Sequence, residues 1–309
     1  MKRIADLQNE PLQLQRLAAQ RQLYDEARRL QAWRFFFAIP VAIAWAISAK
    51  LLWDSNLVSL LGSGMLALLN VYPFTSWEAV YREKAAKIQE QFDCEVLQMP
   101  WNYESIGNPP LDDLTVEYAA KYDPNNYPNQ PLENWYSGPV DDLPLPFGRI
   151  VCQRSNLSWD AQLRRRYAKS IVFFLILLAA PIVVATWLFG VDKLDKLAYF
   201  FASLGPAFTL GLNEIKTNLA AASSLEHLRY RMDELWHLTF RGKADEEELN
   251  RAARNWQNDI FLHRKNSPVL LRRIYNRFRD PDEEANYKGT KALVEEAQRL
   301  LAEKRETKL

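Results

Sequence analysis

Little in this chain is chemically reactive. It has two cysteines, Cys94 and Cys152, and three histidines, His227, His237 and His263, among 309 residues. Two distant thiols define no disulfide framework and suit a reducing compartment. Three scattered imidazoles make no metal pattern, and Cys152 has no nearby histidine to serve as a base. Also missing are a phosphate-binding glycine loop and a catalytic carboxylate pair; Asp112-Asp113 and Asp141-Asp142 read as solvated loop acids. The formal net charge is +1, so the chain as a whole has no electrostatic footprint for a nucleic-acid polymer. A non-enzymatic protein without cofactor or metal is expected.

What the chain does have is apolar sequence, held in four runs set as two close pairs: 33–53, 57–77, 171–190 and 197–212. Crossing the ~30 Å hydrocarbon core takes ~20 apolar residues of helix. The first three runs meet that length, and the fourth recruits part of 191–196. Backbone groups in lipid must bond within their own segment, so these runs are expected as helices. The first run starts too late, and is too long, for a signal peptide. The expected fold class is therefore an all-α membrane protein. It has four transmembrane helices as two duplicated hairpins (a parallel repeat), long cytoplasmic helical extensions and an irregular Pro/aromatic-rich middle segment.

The segments follow from this. Residues 1–32 are an N-terminal cytoplasmic amphipathic helix and 33–77 the first transmembrane hairpin. Residues 78–99 form a cytoplasmic helix and 100–158 a Pro/aromatic-rich cytoplasmic segment, with nine prolines in 100–147. Residues 159–170 are a basic pre-span helix that Ser158 would cap. Residues 171–212 are the second hairpin and 213–309 a cytoplasmic helical region. There, Leu225, Leu228, Met232 and Leu235 recur at helical steps before Gly242, and Leu249, Ala253, Trp256 and Ile260 form a second stripe. Asp280-Pro281 should start the last helix.

Orientation follows from Lys and Arg. Residues 1–34 carry seven, 78–170 ten and 213–309 nineteen, whereas 54–56 has none and 191–196 has two offset by two aspartates. Both termini and the middle segment should face the cytoplasm. The duplication rests on features recurring at near-equal offsets: Pro40 and Pro181, Thr75 and Thr209, Asp93 and Asp233.

Two sets of residues could carry function. In the second run Ser59, Ser63 and Ala67 recur every four residues, as do Ser203, Ala207 and Gly211 in the fourth. Small residues at this spacing let helices pack closely. The sharper reading adds Asn70, Thr75, Thr209 and Asn213 and lines a water path once several chains assemble. The second set lies in Cys152-Gln153-Arg154-Ser155-Asn156-Leu157-Ser158-Trp159-Asp160. A structural role for it is a helix cap and an interfacial Trp159 anchor. A recognition role would set Arg154 and Arg164 on a phosphate and Gln153 and Asn156 on a base edge, with Trp159 and Asp160 beside them. Gln20, Arg21 and Tyr24 would join if the repeat brings the two helices together. Arg28, Arg29, Arg164, Arg165 and Arg166 also have a plain reading as anchors on anionic lipid.

These motifs bring a family into view. The chain resembles the SMODS-associated four-transmembrane (S-4TM) effectors of bacterial anti-phage systems, to which pore formation is ascribed. Four stretches carry the resemblance: Arg16-Leu17-Ala18-Ala19-Gln20-Arg21-Gln22-Leu23-Tyr24; Phe92-Asp93-Cys94-Glu95-Val96-Leu97; Cys152 through Asp160; and Arg264-Lys265-Asn266-Ser267-Pro268 leading to Ile274-Tyr275. Ser155 stands where a Thr is frequent, and Leu270-Leu271-Arg272 replaces a stretch with a proline. The resemblance implies an effector triggered by a cyclic oligonucleotide, made upon infection by a partner nucleotidyltransferase. It implies a homo-oligomer in the bacterial inner membrane, in contact with the lipid bilayer, that permeabilises it and stops the infected cell. It brings no catalytic residues; Gln153, Arg154, Asn156 and Asp160 match the motif as candidates for the signal site. The alternative is a membrane-anchored adaptor without a pore.

Overall fold

In the computed structural model of the chain, residues 2–53, 56–127, 130–136, 138–189 and 194–306 are described, without the side chains of 194–203, 273–286 and a few others, among them Ser59 and Asn70. The described residues are helical and irregular, with no strand. A short α1 (Ile4–Leu7) precedes α2 (Pro11–Phe36), which has proline in its first turn. That position suits proline, whose missing N–H would be unpaired there anyway. Pro40 falls further along the same rod. It cannot donate to the helical ladder, and the chain takes a π-turn over Phe37–Val41 before continuing as α3 (Ala42–Trp53). Then comes α4 (Asn56–Val96), 41 residues long.

The middle segment folds as α5 (Tyr103–Ile106), α6 (Asp112–Ala120) and 3-10 turns at Pro124–Asn126 and Gly138–Asp142. Two long helices follow, α7 (Leu145–Phe189) and α8 (Leu194–Phe240). The second ends at Gly242, whose φ of 72° is free for glycine, with the Lys243 N–H returning to the Leu238 carbonyl. Then α9 (Glu246–Asn266) opens on Asp245, which accepts from the Glu248 N–H, and α10 (Arg272–Glu306) closes the chain.

Two expected boundaries move. Helix α7 begins at Leu145, not at 159, so Ser158 lies inside it and caps nothing. Pro144 and Pro146 stand at the helix start, where proline is tolerated, and little downstream interrupts the helix before Pro181. Helix α10 begins at Arg272, leaving Pro281 inside rather than at the start.

Helices α2 and α4 pack along each other, as do α7 and α8, while α9 and α10 lie against α7. The polar halves of these rods enclose a common core that includes Leu17, Phe92, Phe147, Leu157, Trp236 and Ile260. Burying such side chains supplies ~1.5–3 kcal/mol each. The apolar halves behave differently. Leu51, Leu68, Phe173 and Trp187 are 79, 74, 68 and 82% exposed. Inward, the apolar halves use small residues: Ala38, Ala42 and Ala49 are buried, and a Cβ on Gly211 would sit 2.8 Å from Leu175. Among the described residues one helix, Pro11–Ala49, is long and apolar enough to cross a membrane. The other three apolar runs form parts of α4, α7 and α8.

Candidate functional site

The polar halves leave a cavity of about 540 Å³ between them, a size common for small-molecule sites. Its walls come from stretches far apart in sequence. On α2, Gln20, Tyr24 and Arg28 stand on successive turns, with Arg21 beside them. On α7, Asn156, Asp160 and Arg164 do the same, with Trp159 adjacent. The middle segment adds Tyr127, Gln130 and Trp135; α9 adds His263 and Arg264. Of the four stretches that carry the family resemblance, the first, third and fourth line this cavity. The second stands just behind it, where Asp93 accepts from Arg264 at 2.5 Å and from the Tyr136 hydroxyl at 2.6 Å. The side chains of Ile274 and Tyr275 lie outside the described residues.

The cavity's charges are not all treated alike. Asp160 accepts from Arg164 at 3.1 Å and from His263 Nε2 at 2.9 Å. Burial pushes its carboxyl up, but Arg164 and His263 outweigh burial and hold it well below the usual carboxylate range. Burial lowers the His263 pKa despite Asp160, so the ring is neutral near pH 7, with Nε2–H donating to Asp160 and the Ser267 hydroxyl 3.2 Å from Nδ1. Arg28 pairs with Asp25 at 3.0 Å. Arg21 is the exception. It is 7% exposed and donates to the Gln130 carbonyl at 2.6 Å, the Pro131 carbonyl at 3.1 Å and the Tyr122 hydroxyl at 3.3 Å. Its guanidinium lies 5.4 Å from the Tyr127 ring centre and 5.7 Å from that of Trp135. No carboxylate pairs with it among the described residues.

Polar groups near Arg21 are open as well. Gln20 and Gln130 are 3 and 8% exposed, and neither side chain has a hydrogen-bond partner among the described residues. Asn156, half-buried, has none either. Gln153 and Arg154 stand elsewhere. Gln153 donates to the Ala253 carbonyl and the Gln257 Oε1, both at 2.9 Å, and Arg154 pairs with Asp233 at 2.6 Å over the Trp236 ring. Both face α8 and α9, outside the cavity wall.

A second polar cluster lies where the helices turn apolar. Arg34, on the first run, pairs with Glu78 at 3.0 Å and lies 3.9 Å from Glu214; Arg82 pairs with Glu78 at 2.9 Å. Gln31 donates to Val269 O at 2.7 Å and to Glu214 at 3.3 Å. Burial, reinforced by Glu78, pushes the Glu214 pKa up to about 7 against the pull of Arg34. This collar joins the cavity through Asn218, which accepts from Arg164 at 2.9 Å and donates to the Glu214 carbonyl at 2.9 Å. The sequence reading missed the collar. Its signal was a charge at the edge of three runs (Arg34, Glu78 and Glu214), and Arg34 was counted only as an orienting cation. Arg28 and Arg164 are likewise paired inside, whereas Arg165 is half-exposed and bonded to Glu226 at 2.5 Å.

The small and polar residues of the runs divide. Ala207 and Gly211 are buried, Gly211 against Leu175 of α7, and Ser63 is buried with no partner for its hydroxyl among the described residues. Thr75 is half-buried, while Thr209 and Asn213 face outward. The side chains of Ser59, Asn70 and Ser203 lie outside the described residues.

Comparison with known proteins adds two findings. The profile of the SMODS-associating 4TM effector domain matches residues 2–293. A protein of Bacillus cereus (strain VD146) named "Probable CBASS effector molecule" is 26% identical over 208 residues, covering 67% of this chain and 68% of that protein. No solved structure matches.

Proposed function

The chain belongs to the SMODS-associating 4TM effector family, and from that premise we propose that it is an anti-phage effector that permeabilises the bacterial inner membrane when a cyclic oligonucleotide signals infection. The supporting observation is the division of its long helices. In α4 and α7 one half packs into a polar body and the other exposes large apolar side chains such as Leu68, Phe173 and Trp187, as α3 does at Leu51. Such surface is stable in lipid and not in water. In this reading all four runs span the bilayer as two hairpins, with both termini cytoplasmic. Trp33 and Trp77, each about half exposed, sit at the interface.

The action requires no covalent chemistry. Two packings of the bundle, closed and open, differ in how copies of the chain meet, and the signal shifts the balance toward the open one. Thr209 and Asn213, outward-facing in one chain, become the walls of a water path when copies assemble. The collar, with charges contributed by α2, α4 and α8, is where a shift among those helices reaches the spans.

The test is dye release from liposomes carrying the purified chain, measured with and without a panel of cyclic di- and trinucleotides. Release on addition of one ring supports the reading. Tight association with another protein and no release with any ring would instead make the chain a membrane-anchored adaptor.

A further inference from the structure

Resting on that reading, we propose that the cavity lined by α2, α7, α9 and Tyr127, Gln130 and Trp135 is the receptor site for the cyclic oligonucleotide, with Arg21 holding a phosphodiester and Gln20, Gln130 and Asn156 holding base edges. Three independent observations converge on it. The first is the charge of Arg21. A buried guanidinium normally has a carboxylate within reach, because an unpaired buried charge is costly. Arg21 has carbonyls, a hydroxyl and two ring faces, which satisfy its N–H groups without neutralising its charge. Arg28, Arg164 and Arg264, on the same cavity, each have an acid within 3.1 Å. Glu133 also lines the cavity but is exposed to solvent, so the buried part of the site is electrostatically incomplete at Arg21, and an anion completes it.

The second observation is the open amides. Gln20 and Gln130 are more than nine-tenths buried, face the cavity, and their side-chain amides have no hydrogen-bond partner among the described residues. Their amide atoms are not sealed in the core but open onto the cavity beside one unneutralised cation, where a ligand with its own donors and acceptors reaches them. A bare phosphate would answer Arg21 and leave the amides open; a nucleobase edge answers amides. The third is the aromatic lining. Tyr24, Trp159 and Trp135 stand at the same cavity, and rings are the surfaces on which unstacked bases rest. Phosphate, base edges and base faces together are the chemistry of a compact nucleotide ring. The site also has an outlet. Arg164 lines the cavity and bonds Asn218, which bonds Glu214 of the collar, so a ligand that displaces α7 against α2 perturbs the collar.

The experiment uses the full chain in detergent and the same probes: cyclic di-AMP, cyclic di-GMP, cyclic GMP–AMP and cyclic tri-AMP, with linear pApA and inorganic phosphate as controls. At least one ring should bind by calorimetry and inorganic phosphate should not. Arg21→Gln should weaken that ring by roughly 10- to 100-fold, the worth of a charge-assisted hydrogen bond. Because Arg21 also ties down residues 130 and 131, Asn156→Trp is the second variant. It fills the cavity from a half-buried position and should abolish binding while the chain melts as the parent does. A ring that releases dye yet binds both well-folded variants with parental affinity overturns this site and leaves the proposed function standing. Failure of every ring to release dye overturns the function itself. Equal affinity for inorganic phosphate and the ring reduces the site to a simple anion hole and overturns the inference.

Discussion

The cavity and the collar are both buried, polar and built by the same helices, yet they are finished differently. In the collar each charge has an opposite charge from the chain itself: Arg34 and Arg82 against Glu78, and Glu214 near Arg34. In the cavity Arg21 has none among the described residues, and the side-chain amides of Gln20 and Gln130 bond to nothing there. A network whose charges close on one another holds helices in place even with Gln31 Oε1 left without a hydrogen bond, while an open one waits for something to close it. The difference separates a structural joint from a binding site more sharply than burial or charge count does.

The strongest way to break this contrast is to open the collar. Glu78 is 2% exposed and accepts from two guanidinia. Glu78→Ala leaves Arg34 with the more distant Glu214 and Arg82 with the Lys265 carbonyl, and removing one partner of a buried pair costs ~3–5 kcal/mol. The variant should melt far below the parent in detergent or fail to accumulate. Arg21→Ala strands no carboxylate. It leaves the carbonyls of residues 130 and 131 underbonded and should cost only ~1–3 kcal/mol. Equal melting temperatures for the two variants would erase the distinction between collar and cavity.

A smaller effect comes from pH. Glu214 titrates near 7 in the folded chain against an ordinary value of 4.5. The folded state therefore binds its proton more tightly, and between these values it holds more protons than the unfolded chain. Stability is full below about 4.5 and falls as pH rises through about 7. The melting temperature should drop by a few degrees across that window, and Glu214→Gln should flatten the slope. A slope unchanged in Glu214→Gln would place the titrating group elsewhere.

How far these two regions could be read from sequence depends on helix geometry. The stripe Leu249, Ala253, Trp256 and Ile260 was legible because its spacing matches the helical period, and all four are buried. The junction of Arg21 and Tyr24 with Asn156, Asp160 and Arg164 was reachable through the repeat. Gln153 and Arg154 were not separable from Asn156 while the motif was read as one short segment before a helix. Once α7 starts at Leu145, successive residues diverge by ~100° around the axis, and the motif splits between cavity and core. The collar stayed hidden because a charge at the edge of an apolar run looks the same whether it faces lipid headgroups or the bundle interior. Packing decides that, and packing joins residues 31, 34, 78 and 214, which no local pattern relates.

The finest test sets one glutamine against another. Gln31 is fully buried and donates to the Val269 carbonyl and Glu214. Gln31→Leu leaves both acceptors short and should cost ~1–3 kcal/mol. Gln20 is nearly as buried, but its side chain bonds to nothing among the described residues. Gln20→Leu replaces an unpaired amide with a side chain of similar size, so the ligand-free protein should melt within about 0.5 kcal/mol of the parent or slightly above it. If Gln20→Leu destabilised the empty chain as much as Gln31→Leu does, Gln20 would already be serving the fold, and the cavity would be as closed a network as the collar.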